Sequence, residues 1–406
     1  MLKGALFGNV AKKYSDIAIL VFVTLLYIMI CAESDMYVPA FPQMIDYFGI
    51  SENKIQLVLS INFAGLCIAG LIAGPLSDSY GRRITLIIGL LIFIIGSVGC
   101  VYTDNFAMLL FWRLLQGIAT SVPMVIGAAM FFNKYTAEKA GKIIGVLNSF
   151  ISASMAAAPI IGAWISEVFN WRANFIIILL LGIISFIAIL LIIEETLQED
   201  KRKKFNIKEI FQNYGKVLKS FPFIIYSIMA VFAFTTTVVY IANLSVIFIN
   251  HIGMTLEVFS YYQASTMLTF IIFSLLSVKL INKYGIDYTK NFGTILTALG
   301  ACGLLLVSLI NDHNVNMICA TMALVAAGSA LMGGTFCSKA MEIFPDMNGV
   351  ALAMLTALRQ IFAFGLIILS EVFFDGTILP VAILIFICTI LAVSGYLILE
   401  FKRNKN

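Results

Sequence analysis

The chain has 406 residues, 61% of them hydrophobic and only 12% charged, with a mean hydropathy of +1.00 and a formal net charge of +4. A soluble domain carries about 25% charged residues, so a mostly water-facing surface is excluded and a bilayer is the environment this composition suits. The seven cysteines, at positions 31, 67, 100, 302, 319, 337 and 388, lie within or beside apolar runs and form no C-x-x-C pair. That argues against a disulfide framework or a metal site and leaves small packed thiols.

Twelve spans are predicted, at residues 17–40, 53–75, 84–103, 106–131, 141–165, 173–193, 222–249, 257–281, 290–310, 314–338, 348–373 and 377–399. Each approaches the roughly 20 residues a membrane helix requires, and backbone groups in lipid must be satisfied within the segment, which makes each span a helix. The first apolar run is too long for a cleavable leader and lacks a small-residue cleavage site, so it reads as a retained span. The expected fold is an all-α membrane protein of 12 transmembrane helices in two pseudo-symmetric six-helix bundles. Residues 1–193 form one bundle, 194–221 a connector and 222–406 the other.

Span 1 carries two acids, Glu33 and Asp35. Ionisable groups in lipid are costly and need partners. Two residues apart on a helix, these point about 200° from each other, which does not suit sharing one proton. Asp35 is the favoured working acid because it heads DMYVPAFP, where Pro39 and Pro42 interrupt helical hydrogen bonding; an interfacial, solvated position is the alternative for Glu33. In span 2, Asn62 is a lone polar group and a candidate for the wall of a central cavity. The polar hairpin GPLSDSYGRR follows, with Gly74, Asp78, Gly81, Arg82 and Arg83 where the chain must leave one apolar run and begin the next.

Span 4 contains Arg113 in the phrase RLLQG. A guanidinium does not readily lose its proton, so it must find a carboxylate or backbone carbonyls. Burial and a charged partner act in opposite directions on an acid's hold on its proton, a balance that suits proton coupling if Arg113 meets a span 1 acid. Gln116 and Met124 are candidates for the wall of a central cavity. Span 5 is rich in small residues, including Gly145 and Gly162, which permit close helix contact, and its Pro159 favours a kink.

Residues 194–221, containing EETLQEDKRKK, read as a solvated, partly helical connector. In span 7, Thr236, Tyr240 and Asn243 share a helical face; in span 11, Thr356, Arg359 and Gln360 do likewise. Such polar stripes line a watery cavity or bridge helices. Both histidines, His251 and His313, fall in loops, so proton coupling must use carboxylates. The second half also echoes the first: SVKLINKYGIDYTK set against AGPLSDSYGRRITL pairs Tyr80 with Tyr284 and Gly81 with Gly285.

Orientation follows from lysine and arginine. With the N-terminus cytoplasmic, only Lys54 and Arg172 of the 26 fall on the opposite side, Arg113 and Arg359 lie in spans, and all others are inside. The positive charge thus reflects topology, and nothing calls for a nucleic-acid partner.

The phrases GPLSDSYGRR, RLLQG, AAPIIGAW, NWRANF, DMYVPAFPQM followed by FGIS, and the ETL after span 6 resemble the drug:proton antiporters of the major facilitator superfamily, most of all the bicyclomycin-resistance (Bcr/CflA) branch. The resemblance implies a monomeric multidrug exporter of a bacterial inner membrane, with both termini cytoplasmic. It would expel small amphipathic compounds by alternating access, with the proton gradient as its energy source and no cofactor. By motif, Asp78 and Arg82 carry over to a conformational latch, with Gly74, Gly81 and Arg83 in the same hairpin; Arg113 carries over to the polar centre of a proton relay and Pro159 to the antiporter signature, while Asp35 and Glu33 are the candidate coupling acids from the residues themselves. An exporter of a dedicated metabolite or siderophore is the alternative. A membrane-embedded enzyme or receptor is remote, since the sequence has no intramembrane H-E-x-x-H, no paired catalytic aspartates and no soluble signalling domain.

Overall fold

The computed structural model describes the backbone of residues 2–403 apart from 135, 136, 198, 200, 201 and 203. It describes side chains from residue 18 onward, apart from those positions and 128, 129, 131–149, 152, 346, 348 and 402–403. The described elements are all helical. In the N-terminal half they are α1 (Leu2–Asp35), α2 (Phe41–Phe48), α3 (Leu57–Tyr80), α4 (Arg82–Tyr102), α5 (Phe106–Lys134), α6 (Ala137–Val168) and α7 (Trp171–Leu191). A short α8 (Ile207–Leu218) leads to α9 (Phe221–Ser245), α10 (Leu256–Tyr284), α11 (Ile286–Ile310), α12 (Val315–Glu342), α13 (Asn348–Val372) and α14 (Leu379–Arg403).

Eleven stretches among the described residues are long and apolar enough to cross a membrane, and α6, 32 residues long, makes the twelfth crossing. Their outward faces are apolar, as lipid contact requires: Leu180, Ile184 and Ile187 on α7 and Ile272, Leu275 and Val278 on α10 are exposed. Span 1 differs from expectation in its end. The α-helix stops at Asp35, a 3-10 turn covers Val38–Ala40, and α2 starts at Phe41. Pro39 and Pro42 cause this, because neither offers a backbone N–H to the preceding turn.

In the first half α3 and α4 pack on α5, α4 on α7, and α1 on α6 and α7. In the second, α12 packs on α9, α10 and α11, and α14 on α9 and α11. Two seams join the halves, α3 against α13 and α6 against α10. The sequence echo is also a backbone echo. Gly81 and Gly285 each sit between two helices with positive φ, +102° and +87°, a region open to glycine and strained for other residues.

The connector is less solvated than the sequence suggests. Its helix α8 packs on α9 and α13, burying Tyr214 and Val217, and the Tyr214 hydroxyl donates to the Leu71 carbonyl of α3 at 2.8 Å. Burial pushes the Tyr214 phenol up to about 12. Apolar residues at positions 210, 214 and 217 give α8 a face to bury, and that overrides the charge of the preceding segment.

Candidate functional site

The N-terminal half is built around a wholly buried cation. Arg113, on α5, has no exposed surface, and neither does Glu33 of α1, whose Oε1 accepts from Arg113 Nη1 at 2.6 Å. The same Nη1 donates to Gln116 Oε1 at 2.8 Å. Nη2 donates to the Tyr37 hydroxyl at 2.7 Å, and Nε to the Val58 carbonyl at 3.2 Å. The guanidinium also lies over the Tyr37 ring, 4.4 Å from its centroid. Gln116 then donates to Ser97 at 2.8 Å and accepts from the Cys100 thiol at 3.4 Å. Asn62 completes the cluster, donating to Glu33 Oε1 at 2.7 Å and to the Arg113 carbonyl at 3.2 Å. A buried charge pair persists only when such secondary hydrogen bonds satisfy it.

Close helix crossing makes the cluster possible. A Cβ on Gly117 would run into the Asn62 carbonyl, and one on Gly65 into the Leu114 carbonyl. The two glycines let α3 and α5 touch backbone to backbone, which brings Asn62 within reach of Arg113.

At the end of the molecule opposite the termini, the halves are joined by a second polar group. Gln56, just before α3, donates to Asn243 Oδ1 of α9 at 2.5 Å and accepts from Ser370 of α13 at 3.0 Å. Asn243 in turn donates to Ser370 at 3.0 Å, and all three side chains are buried. Beyond them, a π-helical turn at Val246–His251 brings Asn250 and His251 to the Glu52 carboxylate, at 2.8 and 2.7 Å. An extra residue in a helical turn re-aims the side chains that follow it.

At the other end, the GPLSDSYGRR hairpin is held chiefly by a residue outside it. The Asp78–Arg82 contact is long, 3.8 Å within one turn. Glu195, from the ETL segment, accepts from the backbone N–H groups of Arg82 and Arg83, both at 3.1 Å, and from those of Thr196 and Leu197 at 2.8 and 2.9 Å. A carboxylate there meets the positive end of α4 and satisfies donors that the helix cannot. Arg83 reaches the Leu190 carbonyl at 3.0 Å, and the Gly74 carbonyl accepts from the Ser77 hydroxyl at 2.8 Å, while a Cβ at Gly74 would make only ordinary contact with Val125.

A profile describing the Major Facilitator Superfamily matches residues 23–368. The chain belongs to that superfamily. Membership makes it a transporter and not an enzyme. It is 23% identical over 374 residues to a "Bicyclomycin resistance protein homolog" of Haemophilus influenzae, covering 92% of this chain and 93% of that protein. It is 24% identical over 375 residues to "Multidrug resistance protein MdtL" of Shewanella oneidensis, covering 88% and 91%. Among solved structures, the xylose transporter XylE from E. coli, in a partially occluded inward-open conformation, superposes with a TM-score of 0.73 at 14% identity, covering 96% of this chain and 98% of that one. Its likeness establishes the major facilitator fold.

Within that fold the expected site residues separate into groups. Glu33 is wholly buried, which corrects the interfacial alternative; the guanidinium and amide that meet it make burial tolerable. Asp35 is part-buried at the end of α1 and has no hydrogen bond or ion pair among the described residues, so the acid favoured from sequence is not the one paired with Arg113. Asn62 and Gln116, expected on a cavity wall, have their polar groups in the Arg113 cluster instead. Met124 is half-buried, its carbonyl accepting from Tyr27 at 3.5 Å. Thr236 lines a small cavity inside the second bundle with Thr294, Thr297 and Thr389. Tyr240 is buried against Cys319, 3.6 Å away, and Asn243 closes the ring with Gln56. Helix α6 runs unbroken through Pro159, and Gly162 makes room for the Met36 carbonyl. Gly145 lies where side chains fall outside the described residues. Arg359 and Gln360 remain near the centre of α13, the first part-buried and the second buried.

Several participants went unrecognised in the sequence: Tyr37, Ser97, Gln56, Ser370, Glu52, Asn250 and Glu195. For Tyr37 a signal existed, its i+4 spacing from Glu33. For Glu195 it was the acid pair Glu194–Glu195 immediately after span 6.

Proposed function

We propose that this transporter is a proton-coupled exporter of small amphipathic compounds, of the kind that confers drug resistance. It works by alternating access as a monomer in a bacterial inner membrane, with both termini cytoplasmic. The names of the relatives support the cargo class, and the placement of lysine and arginine supports the orientation. Residues 1–193 and 222–406 act as the moving units, with 194–221 as the cytoplasmic connector. The Gln56–Asn243–Ser370 ring is then the periplasmic gate, and the Gly74–Arg83 hairpin with Glu195 the cytoplasmic latch.

One observation carries the coupling: Glu33 places one oxygen on Arg113 while its other, Oε2, is buried without a hydrogen-bond partner among the described residues. An acid so placed has a site to receive a proton and a cation to release when it does. Glu33 is therefore the coupling acid in this proposal. Asp35, nearer the periplasmic end, is the step through which protons reach it.

Reconstituted vesicles with a trapped pH-sensitive dye test this. Addition of bicyclomycin or another compound from a resistance panel should release protons across the membrane in the wild type. Glu33→Gln should abolish that flux and Asp35→Asn should slow it. A Glu33→Gln protein that couples as well as wild type would overturn the assignment.

A further inference from the structure

The chain has two arginines in the plane of the membrane, and they are provided for differently. Arg113 spends its donors on Glu33, Gln116, Tyr37 and the Val58 carbonyl. Arg359 makes no ion pair and no hydrogen bond among the described residues, and its Nε is buried without an acceptor. Its one specific contact is aromatic, with the guanidinium carbon 4.5 Å from the centroid of the Phe234 ring.

The position of that contact matters. Phe234 belongs to α9 in the second half and meets Phe63 of α3 in the first, edge to face, with centroids 6.4 Å apart. Arg359 lies at the middle of α13, the helix that forms a seam with α3. The guanidinium therefore sits at mid-membrane depth beside the junction of the halves, the level at which transporters of this fold hold their cargo. A guanidinium there needs a counter-charge, and the protein offers none among its described residues. Its planar fork suits a carboxylate or similar oxyanion, and the flanking Phe63 and Phe234 suit an aromatic or alicyclic body.

The geometry points to Arg359 as the charge-selecting anchor of the cargo site, and to amphipathic weak acids as the cargo. Lipophilic cations, which a bare guanidinium repels, are excluded as preferred substrates. This inference rests on the transporter reading above and narrows its cargo class.

Three probes with one apolar body decide it: 1-naphthoate, 1-naphthalenemethanol and 1-naphthylmethylammonium, titrated into the full-length protein in nanodiscs with empty nanodiscs as the blank. The wild type should bind the carboxylate about tenfold or more tightly than the alcohol, as one charge-assisted bidentate contact implies. It should bind the ammonium most weakly. Arg359→Gln should bring the carboxylate-to-alcohol ratio close to one, and Arg359→Lys should keep part of the preference, since it retains charge but not the fork. A carboxylate bound no better than the alcohol or ammonium by wild type, or a preference that survives Arg359→Gln, overturns the inference. Vesicle transport of the same probes separates the two readings. Arg359-dependent naphthoate binding with no proton-driven movement sinks the exporter reading alone, whereas proton-driven movement of the ammonium but not of the carboxylate sinks the anchor alone.

Discussion

The hairpins Tyr80–Gly81–Arg82 and Tyr284–Gly285–Ile286 turn through the same backbone shape but hold their charges differently. In both, the threonine four residues after the glycine returns its hydroxyl to the glycine carbonyl, Thr85 at 2.7 Å and Thr289 at 3.0 Å. In both, a carboxylate arrives from beyond or near the end of the last helix of its bundle, Glu195 after α7 and Glu400 in α14. Glu195 takes the backbone N–H groups that open α4. Glu400 instead takes the buried Lys290 ammonium one turn inside α11, at 3.0 Å, and Asp287 takes the same ammonium at 2.9 Å. Duplication of the fold thus provides one position for an acid, and local sequence decides whether that acid serves a helix end or a side chain. Glu195, four residues past the end of α7, thus fastens the hairpin to the helices that surround it.

The sharpest contrast between the halves is the setting of their buried cations. Arg113→Met would leave Glu33 charged and wholly buried, and should cost about 3–5 kcal/mol. Lys290→Met would leave Asp287 and Glu400, which are 55% and 26% exposed, in reach of water, and should cost about 1 kcal/mol. Unfolding titrations in mixed micelles measure both; equal losses would break the contrast.

A smaller effect concerns the two acids. Glu195→Gln withdraws a charged acceptor from four backbone donors, and a loss of about 2 kcal/mol is expected, with slower turnover. Glu400→Gln leaves Lys290 paired with Asp287, so about 1 kcal/mol is expected from the weakened hydrogen bond. A larger loss at Glu400 than at Glu195 would reverse these roles.

The glycines sharpen the same point. Alanine at Gly285 meets nothing within 4 Å and bears only the strain of positive φ, about 1 kcal/mol. Alanine at Gly81 bears that strain and places its Cβ 2.5 Å from Glu195 Oε2, raising the expected loss to about 2 kcal/mol. The double variant Gly81→Ala, Glu195→Ala should therefore fall short of the sum of the singles, and thermal unfolding of the four proteins tests it.

The spans were legible because lipid demands long apolar runs, and the Gly81–Gly285 echo because positive φ restricts the residue. Which acid meets Arg113 was not legible. Two residues apart on one helix, Glu33 and Asp35 are separated in direction, but the sequence does not fix the helix's absolute rotation, and here packing of α1 on α5 turns Glu33 inward. Asn62, Gln116, Tyr240 and Asn243 share a different lesson. A lone polar residue on an apolar helix reads as cavity wall, yet buried donors and acceptors seek one another first. Pairing fails at Arg359, whose Nε is buried without an acceptor among the described residues. Glu195 escaped notice because helix caps are ordinarily local, and this one arrives from more than a hundred residues away.

The smallest expected effect tests how tightly the connector joins the halves. Tyr214, on α8, donates to Leu71 of α3, and burial pushes its phenol up to about 12 from an ordinary value of 10.0. The folded state therefore holds this proton more firmly than the unfolded state does. The stability it contributes is full below pH 10 and is lost as pH rises from 10 towards 12. Tyr214→Phe removes the hydrogen bond, so the wild type should exceed the variant by about 1 kcal/mol at neutral pH. The difference should shrink through that alkaline window. Paired titrations of the two proteins cancel the remaining tyrosines and lysines. A difference that is flat across the window would mean that α8 detaches from α3 before the phenol ionises.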